Sequence, residues 1–242
     1  MARAGLAGAF LVDGVEALDR AFVDLVRDLQ PAVVTDVGSR DGEMAILCQQ
    51  AQPAAQVFAF EANPENFFEH ATAVARHGVV FVPMAVGAGR SWTSIQVPRW
   101  ATAAQHANRT RRGVGSLRPR HDTRDYVTYA AAATSLGEFF ALPAHREATF
   151  AHWIDVEGCS HEVLEGLGPI AERTLFFKIE VETRAHWQGQ KLVDDCLRKA
   201  AELGFDPVVW FDHDEQFDVI CANRGLLQTL GDGGATAAHS TR

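Results

Sequence analysis

The stretch Val33–Gly42 constrains the fold of this chain more than any other part of the sequence. Its β-branched start, Val33–Val37, predicts a buried strand, and it then reaches two glycines four residues apart, Gly38 and Gly42. The next residues predict a helix from about Gly42 to Ala51. A strand, a tight glycine turn and a helix N-terminus together bring backbone N–H groups close to a ligand.

A second predicted strand, Gln56–Phe60, leads directly into Glu61, nineteen residues after Gly42. An acid at the tip of the second strand can accept hydrogen bonds from both ribose hydroxyls of a nucleoside. The dinucleotide fingerprint G-x-G-x-x-G is missing. The spacing Asp-x-Gly-x-x-x-Gly, which starts at Asp36, has instead the shape of the first motif in S-adenosylmethionine (SAM) methyltransferases. The alternative is a turn with a purely structural role.

Strands and helices alternate along most of the chain, which predicts an α/β fold with a mostly parallel, doubly wound sheet. We expect seven strands, with helices on both faces and an arginine-rich loop insertion. The further predicted strands are Val79–Val82, Thr149–Val156, Thr174–Val181 and a terminal pair, Val208–Phe211 and Asp218–Cys221. An amphipathic helix precedes the first strand, and we expect it to pack on the sheet edge or shield the ligand site.

The length of 242 residues suits one domain. We expect this domain to span residues 31–226, after an N-terminal helical segment, 1–30, and before a flexible tail, 227–242. No apolar run approaches the ~18–20 residues of a membrane span, and the N-terminus makes a poor signal peptide, so we expect a cytoplasmic protein. A net charge of −9 argues against a nucleic-acid partner. The four cysteines are far apart, which indicates buried thiols and no zinc site.

The segment 98–125 lacks apolar periodicity, and between Arg99 and Arg124 it carries seven arginines and one acid, a local charge of +6. We expect a lid or substrate loop, because a long segment without regular structure in a compact domain is usually functional or disordered. Its arginines, Arg109, Arg111 and Arg112 among them, suit an acceptor that bears phosphate or carboxylate. The alternative is a solvated basic loop.

Acidic residues follow two adjacent predicted strands at their carboxyl ends, where open α/β sheets bind ligands. Asp155 and Glu157 close the fourth strand, and Glu180 and Glu182 share one side of the fifth with Lys178. Buried charges are costly unless paired, so either a functional site or an ion-pair network is expected. His186 and His213 are candidate general bases or exposed loop histidines. A divalent cation is conceivable here, but no metal-binding spacing occurs and none is predicted.

The block Ile154–Cys159, followed by Glu162–Gly166, resembles the I-D-V-E-G-x-E-x-x-V-L-x-G signature of FkbM-type SAM-dependent methyltransferases. Other matches keep the order and spacing of that family over about residues 33 to 222. They are Asp36-Val37-Gly38 with Gly42, Phe60-Glu61-Ala62-Asn63-Pro64, Ala85-Val86-Gly87 and Gly115-Ser116-Leu117.

This resemblance implies a Rossmann-like class I methyltransferase fold, SAM as cofactor, and O-methylation of a hydroxyl on a sugar, glycan or natural product. It implies cofactor contacts from two regions, the glycine turn with Asp155 and the ends of the next two strands. The turn residues are Asp36, Gly38, Ser39, Arg40, Asp41 and Gly42; the strand-end residues are Glu61, Asn63, Met84 and Ala85.

Five positions depart from the family pattern. Ser39-Arg40 stands where the family has Ala-Asn, and Trp153 where a Lys is common. Ser160 replaces the second Glu of the signature, so no catalytic role is carried over to it. Leu136-Gly137 replaces the usual Leu-Asp pair before a short helix.

The expected function is therefore transfer of a methyl group to an acceptor hydroxyl, with Asp155, Glu157 and His186 as the catalytic candidates. Candidate acceptor-binding residues are Arg109, Arg111, Arg112, Ser116, Glu182 and Trp187. The alternatives are a nicotinamide-dependent oxidoreductase, or a SAM- or nucleotide-binding protein without catalysis. We expect a small-molecule or glycan acceptor as partner and leave the oligomeric state open, a homodimer included.

Overall fold

A computed structural model describes residues 8–100 and 114–229. Eight strands form the central sheet: β1 (Phe10–Leu11), β2 (Val33–Val37), β3 (Gln56–Phe60), β4 (Val80–Val82), β8 (Phe150–Ile154), β9 (Thr174–Glu182), β10 (Phe205–His213) and β11 (Gln216–Asn223). A second, three-stranded sheet consists of β5 (Ala85–Val86), β6 (Ser91–Pro98) and β7 (Tyr126–Thr134). The helices are α1 (Val15–Leu29), α2 (Glu43–Ala51), α3 (Pro64–Ala75), α4 (Leu136–Phe139), α5 (Ser160–Glu165) and α6 (Val193–Glu202).

The strand order of the central sheet is β1-β10-β11-β9-β8-β2-β3-β4. From β4 to β9 neighbouring strands run parallel, whereas β11 runs antiparallel to both β9 and β10. Without β1 and β11, this is the order of the doubly wound nucleotide-binding sheet. The chain therefore has the predicted Rossmann-like α/β fold, with a reversed strand inserted next to β10 and one more strand, β1, than the seven expected.

Helices cover both faces of the central sheet, because its inner strands are apolar on both sides. One face packs on α4, α5 and α6, in a cluster that includes Phe150, Ile154 and Phe177. The other face packs on α1 and α2. There the ring of Phe22 in α1 lies 5.1 Å from the rings of both Trp153 and Phe176. Helix α1 thus covers a sheet face, whereas the sequence left open whether it packs on the sheet edge or shields the ligand site.

The second sheet joins the two ends of the arginine-rich insertion, since β6 precedes it and β7 follows it in an antiparallel pair. The predicted loop, 98–125, lies between these two strands, and residues 101–113 of it lie outside the described residues. Gln96 in β6 also pairs with Ser116 within the insertion. The second sheet therefore lies beside the ends of β3 and β4.

All four cysteines are buried and unpaired, as the sequence predicts. Within the described part of the chain, no helix is both long enough and apolar enough to cross a membrane. The predicted domain bounds stay predictions, and most of the expected tail, residues 230–242, lies outside the described residues.

Candidate functional site

The turn after β2 is held between two neighbouring strands. The backbone N–H groups of Gly38 and Ser39 both donate to the carbonyl of Phe60 at the end of β3, at 3.0 and 2.9 Å. Gly38 has φ of 84°, and a Cβ atom there would lie 1.8 Å from the backbone oxygen of Asp155. Only glycine fits such a position, so the close approach of the β2 and β8 ends depends on this residue.

Asp36 fixes the turn from inside. Its carboxylate is buried, with Oδ2 accepting from the Ser39 hydroxyl at 2.8 Å and from the Ala45 N–H at 3.2 Å. Burial raises the pKa of Asp36 to about 7, although both hydrogen bonds favour the charged form. Ser39, which departs from the family pattern, therefore has a defined role in tying the turn to β2.

Glu61 lies where β3 ends, and its buried carboxylate is oriented by two backbone donors. Oε2 accepts from the N–H of Arg40 at 2.7 Å, and Oε1 accepts from the N–H of Asn63 at 2.6 Å. Burial raises the pKa of Glu61 to about 7, against the effect of these bonds. A side-chain hydrogen bond with Asn66 also reaches this carboxylate, and its remaining lone-pair capacity can accept from a ligand.

A first cavity opens beside Glu61. Its walls come from the β2 and β8 ends, the β3–α3 connection, β5 and the rest of the second sheet. The lining residues are Gly38, Arg40, Phe60, Glu61, Ala62, Asn63, Asn66, Met84, Ala85, Val86, Ile95, Gly115, Ser116, Leu117, Asp155, Val156 and Cys159. Seven of the residues predicted to bind the cofactor therefore line one cavity: Gly38, Arg40, Glu61, Asn63, Met84, Ala85 and Asp155.

One donor in this cavity has no partner among the described residues. Asn63 is 1% exposed and its Oδ1 accepts from the N–H of Glu65, which caps α3, while its Nδ2 makes no hydrogen bond. An unsatisfied buried donor is costly, and a ligand acceptor would satisfy it. An apolar wall, a ribose-binding carboxylate and a free amide donor together fit an adenosine group.

A second, open cavity of about 1280 Å³ adjoins the first, and Gly38, Arg40 and Asp155 line both. We call it the acidic cleft. Eight carboxylates line it: Asp19, Asp36, Asp41, Glu43, Asp155, Glu157, Glu180 and Asp218. Its remaining polar lining includes Ser39, Arg40, Lys178, His213 and Gln216. In the described part of the chain, no group of His, Cys, Asp and Glu side chains has the arrangement of a metal site.

Lys178 compensates part of this charge. Its buried Nζ lies 2.6 Å from Asp218 Oδ1 and 3.3 Å from Asp155 Oδ2, and 4.5 Å from the centre of the Trp153 ring. Burial would lower the pKa of Lys178, but the carboxylates of Asp155 and Asp218 raise it above its usual value. Trp153, another departure from the family pattern, thus supports the cation by a cation–π contact.

Glu157 does not continue β8, which the sequence extended to Val156. The strand ends at Ile154, and Glu157 has φ of 44° ahead of Gly158 at 80°. The Ser116 hydroxyl donates to the backbone oxygen of Glu157 at 2.7 Å and holds this left-handed turn. Burial raises the pKa of Glu157 to about 8, and the charge of Asp155 adds to the shift.

Other residues predicted for the site lie outside both cavities. Trp187 is fully buried beneath the Arg120 guanidinium, 4.9 Å from its ring centre, and packs against Gly158. Glu182 is buried as well, and His186 Nε2 lies 4.0 Å from Glu215. Arg109, Arg111 and Arg112 fall outside the described residues.

Two cleft residues, Asp19 in α1 and Asp218 in β11, were absent from the predicted site. Asp19 immediately follows Leu18 in the buried stripe of α1, and an acid beside such a stripe is the signal that could have identified it. Asp218 pairs directly with Glu180 across the β11–β9 ladder. Finding it required the strand register, which no sequence pattern supplied.

No protein-family model matches this chain, and no curated protein matches it in sequence. Solved structures with a similar fold include a ribosomal protein L11 methylase from Lactobacillus delbrueckii subsp. bulgaricus, at 12% identity and TM-score 0.47, over 88% of this chain and 82% of that one. Sp1610 of Streptococcus pneumoniae, which has a provisional assignment as a tRNA (m1A22) methyltransferase, matches at 12% identity and TM-score 0.46, over 88% and 71%. M. capricolum TrmK, solved with S-adenosylhomocysteine (SAH), matches at 11% identity and TM-score 0.45, over 84% and 67%.

These similarities are too distant for any residue role to be carried over. A net charge of −9 does not by itself exclude a nucleic-acid partner, so that expectation is not carried further.

Proposed function

We propose that this chain is a SAM-dependent methyltransferase of the FkbM type, which methylates a hydroxyl group of a small-molecule or glycan acceptor. The observation that carries the proposal is the pair of adjoining cavities. One has the features of a nucleoside site, with Glu61 and the unpaired Asn63 amide. The other is open and lined with ionisable groups, and the two meet at Gly38 and Asp155.

In this proposal, Glu61 accepts hydrogen bonds from the ribose hydroxyls and Asn63 Nδ2 donates to the adenine base. The apolar side chains of Met84, Ile95 and Leu117 flank the base. Bound SAM supplies a methyl group on a positively charged sulfur, with SAH as the leaving group. Gly38 allows the backbone to approach it closely, next to Asp155.

The acidic cleft supplies the groups that act on the acceptor. An alcohol must lose its proton as its oxygen gains the methyl group, and a base works best when its pKa lies near the working pH. Glu157, with its pKa raised to about 8, meets this condition and receives the acceptor proton. Asp155 is held by Lys178 at 3.3 Å and positions the acceptor. His186 lies outside the cleft lining and has no role in this scheme.

Calorimetry with SAH and with NAD tests the cofactor, and mass spectrometry of candidate glycans incubated with SAM tests the reaction. We expect SAH to bind, NAD not to bind, and one acceptor to gain a single methylene mass. Binding of NAD with no response to SAH would favour the oxidoreductase alternative. Binding of SAH without any methylated product would favour a protein that lacks catalysis.

The variant Glu157→Gln should bind SAH like the wild type but lose at least ~100-fold in turnover, the range of one general base. Glu172→Gln, an acid-to-amide change at an exposed position that lines neither cavity, is the matched control and should leave both unchanged. Near-normal turnover of the Glu157 variant would remove this residue as the base.

A further inference from the structure

The walls of the acidic cleft divide into two groups by the elements that carry them. Asp36, Asp41 and Asp155 belong to the glycine turn and the β8 end, next to the first cavity. Glu180 and Asp218 on β9 and β11, and Asp19 on α1, belong to elements that contribute nothing to the first cavity. This second group therefore faces the part of the cleft left to the acceptor.

Cations of the chain neutralise only part of this lining. Arg40 pairs with Asp41 at 2.8 Å, and Lys178 pairs with Asp155 and Asp218. For Glu180, no cation of the described residues lies within ion-pair distance. Burial raises the pKa of Glu180 well above its usual value, and the charges of Asp155 and Glu157 add to the shift.

A buried acceptor atom with no partner lies on the facing helix. Asp19 Oδ1 is shielded from solvent and accepts no hydrogen bond from any described residue, while its residue lines the cleft. Such an atom costs free energy unless a donor satisfies it. Lys178 acts on Asp19 through its charge, without a hydrogen bond to Oδ1. An ammonium group, with three N–H donors and a positive charge, is the kind of donor that an acidic wall of this composition would bind.

The mouth of the cleft has a different character. Val15 and Leu47 are 43% and 40% exposed, and together with Met44 they form an apolar rim on α1 and α2. Exposed apolar side chains around a polar cavity favour a ligand with an apolar body. The acceptor side of the cleft is thus acidic within and apolar at its mouth.

We infer that Glu180 is a specificity-determining residue that selects, with Asp19, an acceptor carrying an ammonium group on an apolar body. This inference rests on the proposed function, and it reverses the acceptor charge expected from the arginine-rich insertion. Three of the described arginines of that insertion have partners of their own: Arg99 pairs with Asp125, Arg118 with Glu162 and Arg120 with Asp122. The ammonium group is held by the wall and does not react; the methyl group goes to a hydroxyl.

Three probes that share a phenolic hydroxyl and differ in the charge of one tail test this: tyramine (cationic), tyrosol (neutral) and 4-hydroxyphenylacetate (anionic). Binding is measured by calorimetry on the full chain, with and without SAH. We expect tyramine to bind at least ~10-fold more tightly than tyrosol, as for a hydrogen bond to a charged group, and 4-hydroxyphenylacetate to bind most weakly.

Glu180→Gln should remove most of the tyramine preference without changing tyrosol affinity. Asp19→Asn on α1 should also reduce the tyramine preference, and it provides a second test if the Glu180 variant folds poorly. The control Glu172→Gln should leave the preference unchanged. Equal or tighter binding of tyrosol, an unchanged preference in both variants, or no binding of any probe by a protein that binds SAH would each overturn the inference. Failure of the wild-type protein to bind SAH would be a separate result, which would contradict the proposed function itself.

Discussion

At the residue scale, the site depends on Gly38 more than on any charged group. Its N–H and that of Ser39 converge on the Phe60 carbonyl, and its missing side chain lets the Asp155 carbonyl approach. A left-handed φ would by itself make a side chain costly here, and steric overlap adds to that cost. The two effects can be separated, because Gly204 has a similar φ of 90° with no atom within 4 Å of an added Cβ.

Gly204→Ala should therefore lose only about 1 kcal/mol of stability, the cost of the backbone conformation. Gly38→Ala should lose roughly 3 kcal/mol or more, and should lose measurable SAH binding, since the β2 and β8 ends must move apart. Urea denaturation and SAH calorimetry on both variants provide the measurements. Equal losses of stability, with SAH affinity retained, would show that the close approach to Asp155 is unimportant.

Local sequence pattern locates residues best where it fixes their place on a strand end or turn. Gly38, Glu61 and Asp155 are of this kind, and all three line the first cavity. The position of Trp187 could not be located in this way: it is fully buried and its side chain donates a hydrogen bond to Glu157, and its predicted role at the acceptor stays a prediction. The pairing of Trp187 with Arg120 covers that ring, and a contact between two loops 67 positions apart leaves no local pattern.

At the scale of elements, apolar runs predicted every inner strand of the central sheet, because those strands are buried on both faces. The second sheet was not predicted as a unit. Its strands β6 and β7 lie on either side of the insertion along the chain, and only their pairing brings them together. The end of β8 was also placed too late, since the positive φ of Glu157 cannot be inferred from alternation of side chains.

One buried histidine links β2, β8 and β9. His152 is fully buried, with Nδ1 2.8 Å from the Thr35 hydroxyl and Nε2 3.1 Å from that of Thr174. Thr174 already donates to the Ile170 carbonyl, so it accepts from Nε2–H and Thr35 donates to Nδ1. A neutral ring satisfies both bonds, and burial lowers the pKa of His152 to about 3.

This depressed pKa predicts a loss of stability in acid. In the unfolded chain, His152 binds a proton below the usual histidine pKa of about 6.5. In the folded chain it stays neutral down to about pH 3. Between pH 6.5 and 5, wild-type protein should lose about 2 kcal/mol relative to His152→Gln. Buried carboxylates act in the opposite direction but equally in both proteins. Urea unfolding at both pH values measures the difference, and parallel pH dependences would show that His152 is protonated when folded.

At the scale of the whole molecule, carboxylates cluster at the ends of the parallel strands, and the cations of the protein neutralise only part of their charge. Asp36 and Glu61, on neighbouring strands, both have pKa values raised to about 7 by burial. Such groups weaken the ligand-free protein as pH rises through 7, because the folded state must then hold a buried charge. A ligand that donates hydrogen bonds to the charged form reverses this effect and lowers the pKa.

SAH binding should therefore depend on pH. Ribose hydroxyls donate to the ionised carboxylate of Glu61, so binding favours that form, and affinity for SAH should rise about fivefold to tenfold from pH 6 to pH 8. Glu61→Gln, which has no charge to lose, should bind more weakly and show most of this dependence removed, with Asp36 as the remaining contributor. Calorimetry at pH 6, 7 and 8 measures both proteins. An affinity of the wild type that stays constant over this range would mean that Glu61 is already ionised in the free protein, or that it does not contact the ribose. A variant that keeps the full dependence would assign the titration to Asp36 at the neighbouring strand end.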